Sequence, residues 1–208
     1  MLSATGCAKV NEWTLRQRIR RGLGDDSILI EALSDSSTDV KPIDADFLPQ
    51  WQIVDVSYNG ASHPLRWFLA VTRDGDPRVV VLSGFPERWK QITEGAVVES
   101  AGEAEAIAKM WFDTTRSMAT LGYRVEAVDD IKWASKPAPE VERAKKQLAR
   151  SHAISAPRAE RKGTGWQLIL WTMDNQTLLE HTVTVSSEGH VTDKAVTREE
   201  DLPAAIGI

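Results

Sequence analysis

Trp51-Gln52-Ile53-Val54-Asp55-Val56-Ser57-Tyr58-Asn59-Gly60 decides the class of fold. Over residues 51–58 apolar and polar side chains alternate, the period of a strand with one covered face. Trp51, Ile53 and one of Val54 or Val56 are expected to be buried, and Asn59-Gly60 is a strong turn signal. Working outward, Leu65 to Thr72 and Val79 to Ser83 flank Asp74-Gly75-Asp76-Pro77, which reads as a hairpin turn. The three runs predict an antiparallel meander, left through a short helical turn at Phe85-Pro86-Glu87-Arg88-Trp89.

Beyond the meander the apolar period lengthens. Ser100 and Glu103 form a capping box, in which each side chain accepts from the other residue's free backbone N–H. Ala104, Ile107, Ala108, Trp111, Met118 and Leu121 then recur at three- and four-residue steps, and Gly122 supplies the stop. Tyr123 to Trp133 is expected to return to strand, and Pro137-Ala138-Pro139 punctuates the chain. Residues 140–152 are predicted to form a second helix. Its thin stripe of Val141, Ala144 and Leu148 places it on the surface. Residues 155–165 read as a polar, basic loop. Trp166 to Thr172, Leu178 to Val185 and Val191 to Val196 are three closing strands, turned at Asp174-Asn175 and Glu188-Gly189.

On the amino-terminal side, residues 11–23 are predicted to be a short amphipathic helix, with Asn11 as N-cap, Glu12 in the first turn, and Gly22 and Gly24 at its end. Trp13, Leu15, Ile19 and Leu23 share its broad apolar face. Ile28 to Leu33 reads equally as strand or helix, and Asp35 to Asp46 reads as a loop. The expected organisation is an arm over 1–48 carrying the basic helix, then an α+β domain over 49–208 with a seam between small subdomains near 134–140. The fold class is α+β: a mainly antiparallel curved sheet with one long and one or two shorter helices packed on it. Trp67, Trp89, Trp111 and Trp133 are evenly spaced but fall on strand, turn, helix and strand, so they mark no repeat.

Composition narrows the function. The chain has 208 residues, 25 Lys+Arg against 30 Asp+Glu, a net charge of −5, and one cysteine. Collagen-like, low-complexity and disulfide-stapled classes are excluded, and no apolar run approaches the ~18–20 residues of a membrane span. Arg16, Arg18, Arg20 and Arg21 form the dense basic stretch and are the candidate nucleic-acid contacts. A looser stretch runs through Arg143, Lys145, Lys146, Arg150, Arg158, Arg161 and Lys162.

Signatures of nucleophilic, phosphate-cradling and zinc chemistry do not occur, and no cofactor or metal is expected. His181 alternates with Leu179, Val183 and Val185 and so lies on their face. The bland reading is a core histidine with its hydrogen bonds made; the sharper one is a pocket base with Asp129 and Asp130. His63 and His190 sit beside turn signals. Eight tryptophans are many for this length. Trp89 and Trp133, with Arg88, are the candidate partner contacts, against a plain core role.

The order of elements over residues 51–197 resembles the cone-shaped fold of nuclear transport factor two and cystatin relatives. That resemblance implies a role like that of bacterial conjugation or secretion assembly proteins. The leading expectation is a non-catalytic protein-interaction or assembly module that binds a protein partner or forms a homo-oligomer. The alternatives are a small ligand-binding protein or enzyme with a pocket in the sheet, and a nucleic-acid accessory protein. Leu2-Ser3-Ala4-Thr5-Gly6-Cys7 resembles the end of a bacterial lipoprotein signal, which would lipidate Cys7. The expected location is therefore cytoplasmic, or extracytoplasmic as a lipoprotein if the native start lies upstream of Met1.

Overall fold

The basic helix runs over Glu12–Gly22 (α1), and Leu15 and Ile19, one turn apart, are its buried residues. Trp13 was expected beside them but is 67% exposed. It stands two residues, about 200° of helical turn, from Leu15. Ser27–Ser34 resolves as a second helix (α2) whose Leu29, Ala32 and Leu33 are buried at helical spacing. The computed structural model describes residues 12–24, 27–60, 64–118, 122–134 and 139–205. Asn11, Cys7, His63, Leu121 and Pro137-Ala138 lie outside them.

The expected loop at Asp35–Asp46 contains a strand, Thr38–Ile43 (β1). Thr38 and Val40 turn inward while Asp39 and Lys41 turn to solvent, and the strand pairs antiparallel along its whole length with Trp51–Tyr58 (β2). Its charged and polar content hid the alternation. Pro42, which has no N–H to donate, is tolerated because β1 is an edge strand. Leu65–Thr72 (β3) and Val79–Val81 (β4) complete the meander in the order β1-β2-β3-β4. In β2, Trp51, Ile53, Val54 and Val56 are all buried. Val40, Val54, Val56, Leu69 and Val71 meet Leu15 and Ile19 of α1 and Leu29 and Leu33 of α2 in one core.

A 3-10 turn at Pro86–Gln91 leads toward the long helix Ala101–Thr115 (α3). Its capping box is formed: Ser100 Oγ accepts from the Glu103 N–H at 3.2 Å, and Glu103 Oε2 accepts from the Ser100 N–H at 3.0 Å. The helix ends six residues before Leu121. Thr114 and Thr115 donate back to the carbonyls of Met110 and Trp111, and Arg116 adopts extended backbone. The strand expected over 123–133 is short, Tyr123–Val125 (β5), followed by a 3-10 turn at Val128–Asp130. Trp133 makes an isolated bridge to Ala204.

The second amphipathic helix spans Pro139–Ser151 (α4) and buries Val141 and Leu148. Four strands follow: Glu160–Lys162 (β6), Gly165–Asp174 (β7), Thr177–Val185 (β8) and Val191–Glu199 (β9). They form an antiparallel sheet in the order β5-β7-β8-β9, with β6 also paired to β7. On one face, Leu148 of α4 meets Val125, Trp171, Met173 and Leu178. On the other, Phe112 of α3 lies edge-on to His181, ring centroids 5.8 Å apart.

The class is thus α+β with antiparallel sheets, and the strands are shared between two of them. The chain divides into units Met1–Val81 and Leu82–Ile208, not after residue 48. The physical reason is β1, which makes the expected arm an integral edge of the first sheet. The described residues on either side of 134–140 belong to one unit, and α4 shares its core with β5 and β7. Among the described residues no helix is long and apolar enough to cross a membrane.

Candidate functional site

The residues singled out from the sequence do not converge. His181 is buried, as its alternation implied, and both ring nitrogens are engaged. Nδ1 lies 2.8 Å from Asp193 Oδ2, and Nε2 lies 2.9 Å from Thr172 Oγ1. The order Thr–His–carboxylate has the outline of a nucleophilic triad, but Thr172 is itself only 2% exposed and His181 is buried beside it. Asp129 and Asp130 sit on the 3-10 turn instead. Asp130 Oδ2 accepts from the N–H groups of Glu126 and Ala127, both at 2.8 Å, and Asp129 faces Lys145 at 3.6 Å. Asp130 caps the turn and Asp129 stands on the surface, while the hydrogen-bond partners of His181 are Asp193 and Thr172.

Of the two tryptophans expected at an interface, Trp89 belongs to the interior and Trp133 is partly buried. Trp89 is 1% exposed and donates its indole N–H to the Gly189 carbonyl at 3.1 Å. Trp133 is half-buried in the core beside α4 and donates to the Val128 carbonyl at 3.2 Å. Arg88 stacks its guanidinium 3.6 Å from the centre of the Phe85 ring. The arginine helix is likewise partly committed. Arg16 donates to the carbonyls of Leu33, Asp35 and Thr38, and Arg18 to that of Thr72. Arg20 and Arg21 are the two left exposed.

What the structure does assemble lies along β7. The two-residue turn Asn175-Gln176 joins Asp174 to Thr177, and Asn175 takes the positive φ of 53° such a turn requires. The residues flanking a two-residue turn exchange both backbone hydrogen bonds, and the direction then alternates along the strand. The backbone groups of Thr172, Leu170 and Leu168 therefore point at β8. Those of Met173, Trp171, Ile169 and Gln167 point at the opposite edge. The Gly163-Thr164 turn gives the same phase from the other end, through the Lys162–Gly165 pair.

On that outer edge β5 pairs with Trp171–Met173 and β6 with Gly165–Gln167. Between them Ile169 presents its N–H and C=O with no strand opposite among the described residues. A pocket of about 320 Å³ opens at this gap, lined by Ser155, Arg158, Glu160, Arg161, Lys162 and Ile169 among others. Arg161 lies over the Trp166 ring at 5.1 Å, and Lys162 Nζ is 2.6 Å from Gln167 Oε1. Arg158 has no ion-pair partner among the described residues. The lining carries three cations against the one carboxylate of Glu160.

A wider groove of about 510 Å³ adjoins it, sharing Ser155 and Ile169 and continuing over His152, Trp171, Glu180 and Arg198. His152 Nε2 lies 3.0 Å from Glu199 Oε1, and Arg198 pairs with Glu180 at 2.9 Å. A bulge creates the first pair. Thr197 is opposite Leu179, but Glu199 is opposite Leu178, so one extra residue turns Glu199 onto the face that Leu178 and α4 share. Strict alternation would have aimed it at the α3 face. The basic run Arg158-Ala159-Glu160-Arg161-Lys162 was visible in the sequence, but the gap and the bulge were not.

Chemically, this surface can pair one amide unit and hold an anion. No family model, curated protein or solved structure matches the chain.

Proposed function

We propose that the protein is a non-catalytic interaction module that binds another protein on the open face of its second sheet. The observation that carries this reading is the state of two apolar side chains. Ile169 and Val196 are 39% and 40% exposed on the same face of the sheet, which α4 covers at the Trp171–Met173 end. Apolar groups on a strand face gain from being covered, and the groove beside them supplies polar partners for a rim. An assembly role of the kind implied by the element order over 51–197 is part of this proposal.

The test is site-specific crosslinking in the native host. A photoreactive phenylalanine at position 169 is expected to give a discrete protein adduct, one at Glu142 on the exposed side of α4 is not, and Val196→Glu is expected to abolish the adduct. Absence of an adduct at 169, or equal labelling at both positions, overturns the reading.

A further inference from the structure

We infer that the pocket at the interrupted edge of β7 takes the carboxy-terminal residue of a partner's chain, its amide paired to the Ile169 backbone and its free carboxylate set against Arg158 with Lys162 beside it. The inference rests on the interaction reading only in taking a protein as the partner.

Three observations select a chain end. First, the gap is one residue long. Ile169 has an outward N–H and C=O, while Gln167 on one side is matched to Glu160 of β6, and Trp171 on the other to Val125 of β5. An added strand gains its affinity from backbone hydrogen bonds. Here, one that continued either way would collide with a strand already in place. A segment that enters must therefore stop.

Second, the sign of the lining chooses which end. Three cations and one carboxylate surround the pocket, and Arg158 has no ion-pair partner among the described residues. A terminal carboxylate would find charge-assisted donors there, with Arg158 able to bind it through two parallel N–H groups. A terminal ammonium would meet like charge. Third, the size fits: about 320 Å³ is the lower end of small-ligand sites, with the Ser155 hydroxyl as a further partner and the half-exposed Ile169 side chain as an apolar neighbour.

The experiment is a nuclear magnetic resonance titration of the full ¹⁵N-labelled chain with three probes: N-acetyl-alanyl-valine as the free acid, the same peptide as its carboxamide, and inorganic phosphate. The free acid is expected to shift the Ile169, Ser155 and Ala156 amide signals saturably and to slow hydrogen exchange at Ile169. The carboxamide is expected to bind at least tenfold more weakly. Arg158→Ala should reproduce that loss, and Lys194→Ala on the far strand should leave affinity unchanged, each variant keeping a dispersed spectrum.

Equal binding of acid and carboxamide overturns the carboxylate assignment. Phosphate binding as tightly as the peptide, with exchange at Ile169 unaltered, overturns the backbone pairing and leaves a simple anion site. No saturable shift overturns the whole inference. If crosslinking at position 169 succeeds while the free acid fails, only this inference falls; if both fail, the interaction reading falls with it.

Discussion

Arg16 lies where α1 passes the end of α2, and its surroundings convert a surface-looking arginine into a fastener. Its guanidinium donates to three backbone carbonyls, those of Leu33, Asp35 and Thr38, while Glu12 pairs with it at 2.9 Å. The last carbonyls of a helix have no partner within it, and a cation there also suits the helix dipole. Arg16→Ala is expected to lower stability by roughly 1–3 kcal/mol, because partly buried carbonyls lose their donor. Arg20→Ala should stay within about 0.5 kcal/mol. Urea unfolding of the two variants checks both values, and equal effects would remove the distinction between fastener and solvated charge. The sequence shows four arginines of one kind; only the path of the chain beyond α2 separates them. His181 is the converse case. Its inward face follows from alternation with Leu179 and Val183, but its partners Asp193 and Thr172 come from neighbouring strands whose register is set by the connecting turns and not by that alternation.

Among the elements, β9 carries the most consequence for the least apparent signal. Seven of its nine residues are exposed, yet its turn sets the phase of every backbone group. Ser186 donates to the His190 carbonyl at 2.9 Å, so Thr192, Lys194 and Val196 bond to β8 while Asp193, Ala195 and Thr197 face outward. Proline lacks the donor and is tolerated only where the N–H faces away from the sheet. Ala195→Pro is therefore expected to be mild. Val196→Pro should cost at least about 1 kcal/mol more through the lost bond to Glu180. Thermal melts of the pair decide it, and the reverse order would mean that the phase is misassigned. Strong periodicity made α3, β2, β7 and β8 legible from sequence. The elements that escape are β1, with its polar and proline content, and the short β6, whose pairing rather than composition makes it a strand, while β5 is legible as a strand but ends eight residues earlier than its composition suggests. Since the pocket lies between those last two, its geometry was hidden while its basic residues were in plain view.

At the scale of the molecule, the strands form two antiparallel sheets of four and five, the first a simple meander and the second with β5 and β6 sharing one edge of β7. The sequence leads to the class but to a different division, because the mixed polarity of Thr38–Ile43 reads as loop. Within the second unit the edge of β7 is completed by two very different routes. β6 is joined to β7 by the two-residue Gly163-Thr164 turn, so that pairing forms locally. β5 reaches β7 only after the chain has run through all of α4 and β6, and closing such a loop costs more entropy and more time. Pulse-labelled hydrogen exchange during refolding is expected to protect the amides of Gly165 and Gln167 before those of Trp171 and Met173; simultaneous protection would refute the order. A newly made chain thus presents a long, bare strand margin first and acquires its narrow slot last. Selectivity for one small occupant would arrive only at the end of maturation. Before that, the same margin is open to any extended segment nearby, so this is the stage at which a folding helper would have most to shield.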